Sequence, residues 1–114
     1  MPKINEISVD ELSRLIRGNK PFDLLDIRTP AEIQRGVLPD ALTLAMHLVP
    51  LKLDYFTESN RHIIIYCRTG SRSMKVCQFL QEQGIRNVAS LRGGIVKWSN
   101  SGLPLDSTPR GSVD

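Results

Sequence analysis

Apolar residues along this chain fall into short runs separated by stretches of helical spacing. Residues 4–7 read as a short strand. Ser8 with Glu11 three positions on is a capping-box signal, and Leu12, Leu15 and Ile16 then share one helical face. Gly18 and Asn19 stop that helix. Residues 22–27 are almost continuously apolar, which suits a strand covered on both faces. Thr29-Pro30-Ala31-Glu32 supplies an N-cap, a proline at the first helical position and a glutamate three past the cap; Gly36 ends the short helix. A brief strand is expected at 42–44, a helix from Pro50 to about Phe56, and at 63–66 the most β-like run of the chain. Met74, Val76, Cys77, Phe79 and Leu80 recur at helical spacing up to Gln83, and Gly84 is a good C-terminal cap. Residues 88–91 form a further strand, Gly93-Gly94 a tight turn, and Ile95, Val96 and Trp98 belong to a helix ending at Gly102, with Trp98 in the core. Strands alternating with helices predict an α/β fold, an open and mostly parallel sheet with helices on both faces. The closing LPLDSTPRGSVD holds two prolines and no periodicity, so a domain over 1–105 and a flexible tail over 106–114 are expected.

Composition narrows the class. At 114 residues the chain has the length of one domain able to bury a core without disulfides or metal. No run approaches the roughly 20 apolar residues of a membrane span, and the charged start MPKINEISVDELSRL lacks the pattern of a signal peptide. A cytoplasmic setting is expected, in which both cysteines stay reduced. Nine residues lie between Cys67 and Cys77, which is not zinc-ligand spacing, and His47 and His62 form no cluster with them, so no metal is expected. Both histidines read as surface or packing residues. Charge is uneven: residues 61–97 carry seven basic groups against one acid, Glu82, while the rest holds eight against eleven. Such a field gathers anions. With six aromatics and no basic tract, nucleic acid is not the expected anion.

The positive segment surrounds IIIYCRTGSRS, residues 63–73. In an open parallel sheet ligands sit beyond the carboxyl ends of the strands, and Cys67 falls there, just before a helix expected from Ser71. A thiol so placed faces the unpaired N–H groups and the positive dipole of a helix start. Gly70 lets the backbone curl so that successive N–H groups converge as an anion nest, and Arg68 and Arg72 add full charges. Lowering a cysteine pKa from roughly 8.5 to about 6 takes about 3.4 kcal/mol. A helix terminus supplies up to ~2 kcal/mol, and N–H bonds to a charged sulfur can supply the remainder. The segment provides for a nucleophilic thiolate without a histidine base.

YCRTGSRS resembles the active-site loop of the rhodanese-type sulfurtransferases. LLDIRTPAEIQRGVLPDA resembles that family's Asp-hydrophobic-Arg segment, which leads through a short helix into a Gly-His-Ile-Pro-Gly-Ala stretch. VASLRGGIVKWSNSGLP resembles its closing Gly-Gly, Trp and Gly-hydrophobic-Pro signature, and the helix from Ser71 to its cap at Gly84 fits as well. These pieces cover about residues 4–105 in the family's order. Val37 stands where the family usually has histidine and Asp40 where it usually has glycine, which touches local packing rather than catalysis. The resemblance implies a three-layer rhodanese-like fold with a mostly parallel five-stranded sheet. It also implies a catalytic Cys67 and a substrate-binding loop of Arg68, Thr69, Gly70, Ser71, Arg72 and Ser73, supported by Asp26, Arg28 and Arg92. Asp26 is expected to bond neighbouring loops, Arg28 to pair with Glu32 or another acid, and Arg92 to line the pocket from its strand end.

Four residues separate Cys67 from Arg72, whereas cysteine phosphatases and arsenate reductases related to this fold have a loop one residue longer. The tighter cradle suits a single sulfur better than a tetrahedral phosphate. The implied reaction is a two-step displacement. The thiolate takes the outer sulfur of thiosulfate or a similar anionic donor, and the persulfide passes it to cyanide, a small thiol or a protein thiol. No cofactor is implied. A sulfur carrier with little thiosulfate turnover is a second reading, and a phosphatase or arsenate reductase a third. Cys77, on the apolar stripe of the following helix, is expected in the core, with a resolving thiol as the alternative.

Overall fold

The computed structural model describes residues 3–113. Strand β1, Glu6–Ile7, runs into helix α1, Val9–Arg17, through the expected box: Ser8 Oγ accepts the Glu11 N–H and the Glu11 carboxylate accepts the Ser8 N–H, both at 3.1 Å. Strand β2, Phe22–Asp26, leads to the single turn α2, Pro30–Ile33, where Thr29 and Glu32 repeat the device. Then come β3 (Leu42–Thr43), a 3₁₀ helix (Met46–Leu51), α3 (Leu53–Glu58), β4 (His62–Tyr66), α4 (Ser71–Glu82), β5 (Val88–Leu91), α5 (Gly94–Asn100) and β6 (Gly111–Ser112). The six strands among the described residues form one sheet in the order β1-β5-β4-β2-β3-β6, every neighbouring pair parallel.

Strand alternation divides the core in two. Ile63, Ile65 and Cys67 face one side with Leu25 and Ile27, under Val49, Phe56 and the Val76, Cys77 and Leu80 stripe of α4. Ile64 and Tyr66 face the other with Leu24, under Val9 and Leu12 of α1 and Ile95 and Trp98 of α5. Both faces are covered, which is why the central strands read as unbroken apolar runs. Trp98 is 1% exposed, as expected, and its indole N–H donates to Pro104 O at 2.7 Å. From β2 the chain moves to one side of the sheet and from β4 to the other. The carboxyl ends of these two strands, in register at Asp26 and Tyr66, therefore flank the topological switch point where such sheets bind ligands. Cys67 is the next residue.

Two expectations change. Pro50 does not open an α-helix; it lies inside the 3₁₀ helix, and α3 starts beyond Lys52. Proline's fixed φ near roughly −65° suits a 3₁₀ turn as well as a helix start. Among the described residues the sheet has six strands rather than five, and the sixth comes from the segment expected to be a flexible tail. Asp106 and Val37 exchange backbone hydrogen bonds of 2.8 and 2.9 Å, and further along Arg110 N–H donates to Ala41 O and Val113 N–H to Thr43 O. Pairing of this kind uses the backbone, so it leaves no hydrophobic period to read.

Candidate active site

The sulfur of Cys67 caps a helix. Helix α4 has no side-chain cap of its own: its N-cap is Gly70, at φ 107°, a left-handed conformation that a side chain would strain. Cys67 Sγ fills the place, accepting the N–H of Gly70 at 3.1 Å and of Ser73 at 3.4 Å. The Ser73 hydroxyl lies 3.6 Å from the sulfur. The two N–H groups are the convergent donors expected of the loop, and the Ser73 hydroxyl stands beside the sulfur, within reach of Gly70 O at 3.1 Å as well. Cys67 itself is fully buried.

What aims the loop N–H groups inward lies behind it. The carbonyl oxygens of Cys67 and Arg68 point away from the sulfur and accept the first free N–H groups of α5, from Ile95 at 3.0 Å and Val96 at 3.1 Å. Gly94, at φ 59°, makes that approach possible. A Cβ there would stand 2.3 Å from Arg68 O and 2.5 Å from Cys67 O, closer than any real contact. Two helix starts thus grip one loop, α4 through its sulfur side and α5 through its carbonyl side.

The arginines divide into roles the spacing could not assign. Arg28 and Asp26 are buried together, with Arg28 Nη2 2.7 Å from Asp26 Oδ2 and Nε 3.0 Å from both carboxylate oxygens. Arg28 also donates to the carbonyls of Glu32 and Gly36, and its guanidinium lies 5.7 Å from the centre of the Tyr66 ring. So the acid paired with Arg28 is Asp26, and it is the guanidinium that bonds the neighbouring loop. The Glu32 carboxylate turns instead to Arg72, gripping it with two bonds of 2.9 and 2.8 Å. Arg68, Thr69 and Ser71 are exposed, and Arg68 has no ion-pair partner among the described residues. Arg92, expected to line the pocket, is 60% exposed and reaches Glu6 at 3.4 Å.

Electrostatics follows this geometry. Burial pushes the Cys67 thiol up, but the Ser73 N–H and hydroxyl, with the N–H groups of Gly70 and Arg72, outweigh it and hold the thiol below its ordinary value. Cys77 also feels burial first and the nearby Cys67 charge second, with no donor to oppose them, and is pushed up to about 12. The Arg72 hydrogen bonds hold Glu32 down at about 2. Among the described residues no group of histidines, cysteines and carboxylates could hold a metal, and no helix is long and apolar enough to cross a membrane.

Three contributors escape a sequence reading. Glu32 is read there as a cap and as one possible partner of Arg28 but not of Arg72, Gly94 only within the Gly-Gly turn, and Ser90 not at all, although a serine inside the apolar run of β5 is a signal. Asp40 takes a left-handed φ of 60°, and the Asp106 carboxylate accepts its N–H at 3.2 Å. Val37 is fully buried.

Residues 8–101 match the profile of the rhodanese-like domain. A sulfurtransferase of Allochromatium vinosum is 45% identical over 102 residues, covering 90% of this chain and 94% of that protein. A thiosulfate sulfurtransferase of Actinobacillus pleuropneumoniae is 33% identical over 90% of this chain and 93% of that protein. The crystal structure of a rhodanese-like domain protein from Staphylococcus aureus, 33% identical, superposes with a TM-score of 0.79 over 91% of this chain and 100% of that one.

Proposed function

Since the chain belongs to the rhodanese-like domain family and is a sulfurtransferase of the rhodanese type, we propose that it carries sulfane sulfur as a persulfide on Cys67, taken from a small anionic donor such as thiosulfate. The observation that carries this reading is the sulfur of Cys67 capping α4, with the Gly70 and Ser73 N–H groups directed at it. The Cys67 thiolate attacks the outer sulfur of thiosulfate, a new S–S bond forms, and sulfite leaves with the electron pair of the bond that breaks. The loop N–H groups then face the charge on the persulfide. A nucleophilic acceptor (cyanide, a small thiol or a protein thiol) attacks the outer sulfur and regenerates the thiolate. No metal or organic cofactor takes part.

Arg68, exposed and unpaired among the described residues, attracts the donor's sulfonate, with Thr69 and Ser71 on the same exposed rim. Arg72 joins when its clamp to Glu32 opens. Because Cys67 is buried at rest, reaction requires the loop or the cysteine side chain to swing open. Asp26 and Arg28 hold the floor of the site. The expected setting is the cytoplasm, where both thiols stay reduced.

Incubation with thiosulfate is expected to add one sulfur atom to the intact mass, reversibly with cyanide, and Cys67→Ser to abolish the gain. A gain that persists in that variant would sink the assignment. Steady turnover from thiosulfate to cyanide marks an enzyme using this donor, and fast transfer to a protein thiol with slow turnover marks a carrier. Hydrolysis of an aryl phosphate without sulfur loading would replace both.

A further inference from the structure

Four polar or charged side chains are buried among the described residues, and they form two pairs. Asp26 with Arg28 is one. The other is Ser73 with Ser90, both 0% exposed, their hydroxyl oxygens 2.6 Å apart. Ser90 stands in β5 between Ala89 and Leu91, with its backbone N–H tied to Asn5 O at 2.9 Å. A buried hydroxyl is unfavourable unless bonded, and Ser73 Oγ is its one side-chain partner among the described residues.

A hydroxyl has one proton to give and two lone pairs to accept with. Ser73 Oγ faces three groups: Gly70 O at 3.1 Å, Ser90 Oγ at 2.6 Å and Cys67 Sγ at 3.6 Å. If Ser73 gives its proton to Ser90, the sulfur loses that donor and the Ser90 proton is left buried without an acceptor. If Ser90 donates to Ser73 instead, every proton is used. The Ser73 proton is then free for the sulfur, and an anionic sulfur outcompetes the neutral Gly70 carbonyl. Accepting from Ser90 also polarises the Ser73 hydroxyl and strengthens the bond it gives, so losing Ser90 weakens the donor to the sulfur even though Ser73 remains.

We propose that Ser90 is a positioning residue of the sulfur-transfer reaction: by donating to Ser73 Oγ it turns the Ser73 hydroxyl toward the sulfur of Cys67 and favours its anionic, attacking form. This rests on the reading of Cys67 as the sulfur-bearing nucleophile. The ionisable groups that share the sulfur's field are Arg72 and Cys77 on α4. Asp26 on β2 is taken up by Arg28, and β5 itself, Val88–Leu91, carries no ionisable side chain.

The test is a pH titration of ultraviolet thiolate absorbance in the full chain, with the Cys67→Ser signal subtracted. Ser73→Ala is expected to raise the Cys67 value by about one to two units, and Ser90→Ala by about half to one unit, since a bond to a charged group is worth more than one between neutral groups. In a Ser73→Ala background, Ser90→Ala should then add nothing. An unchanged titration in Ser90→Ala overturns the proposal, and so does an equal increment in both backgrounds, which would mark a packing effect. Sulfur loading is scored in parallel. Loading by the wild type with no shift in Ser90→Ala overturns the role of Ser90 alone. The expected shifts without any loading overturn the sulfur-transfer reading, and the role of Ser90 in it.

Discussion

Cys67 and Cys77 are the same residue in the same apolar cluster, both buried and both free. Yet the structure pushes their thiols in opposite directions. Burial acts on each as the leading influence and disfavours the anion in each. The difference is the backbone around them. Cys77 lies within α4, where N–H groups are spent on the helix itself, so nothing answers the burial. Cys67 lies just before α4, where N–H groups have no helical partner and turn to the sulfur. A thiol held below its ordinary value is thus made by position relative to a helix end, not by exposure or by an acid–base partner.

The largest effect to look for is an exchange of consequences between the two. Cys67→Ser is expected to lose sulfur loading altogether while keeping its fold. Cys77→Ala should load fully and lose on the order of 1–2 kcal/mol of stability, the typical effect of a small core truncation. Intact-mass measurement and urea unfolding read the two outcomes. Loss of loading in Cys77→Ala would revive it as a resolving thiol and break the contrast.

Next in size is the wedge behind the loop. Gly94→Ala forces a methyl group against the carbonyls of Cys67 and Arg68, so either α5 retreats or the loop turns its N–H groups off the sulfur. We expect a loss on the order of 3 kcal/mol in unfolding free energy and a Cys67 thiol that titrates nearer its ordinary value. Gly84→Ala is the control: its φ of 84° is equally left-handed, but an added Cβ there meets nothing and the site is remote. It should destabilise without moving the Cys67 titration.

Alkaline pH sharpens the same comparison. The Cys77 thiol is neutral in the fold up to about 12 but ionises from an ordinary 9.0 in the unfolded chain. Its stabilising share is therefore complete below 9 and is lost as pH rises toward 12. Cys67 has the opposite sign: its folded value lies below 9.0, so its share is present above that pH and fades as pH falls through the folded value. Unfolding midpoints above pH 9 should fall less steeply in Cys77→Ala than in the wild type.

Much of this was legible in residue order because its causes are local. Both capping boxes, the buried runs of β2 and β4 and the placement of Cys67 ahead of α4 depend on residues within a turn of one another. What escaped depends on which distant partner a side chain finds. Glu32 caps its own turn and also holds Arg72, forty positions away, and nothing in Thr-Pro-Ala-Glu announces the second task. Arg28 could pair with any acid nearby, and the buried one won because a guanidinium packed over Tyr66 must bring its countercharge with it. Ser90 meets Ser73 across a strand and a helix. The β6 pairing uses backbone groups that any residue has. Local period and caps thus specify the frame and the place of Cys67 ahead of α4, whereas the second partners of each side chain are settled only by packing.

The smallest effect concerns the clamp that separates the two arginines of the loop. Arg72 and Glu32 are 32% and 24% exposed, so solvent screening limits the pair to about 1 kcal/mol, or roughly fivefold in affinity. In Glu32→Gln the charge is gone and Arg72 is free to meet an anionic donor. The KM for thiosulfate should fall by up to about fivefold with kcat little changed. A KM that rises instead would mean that the clamp holds Arg72 ready for the donor rather than away from it. Neutral pH cannot mimic this change, because Glu32 titrates at about 2, far below its ordinary 4.5. The stabilisation it adds is complete above 4.5 and is lost as pH falls through about 2. Acid unfolding should therefore bring wild type and Glu32→Gln together at the lowest pH, and steady-state kinetics near neutrality should keep them apart.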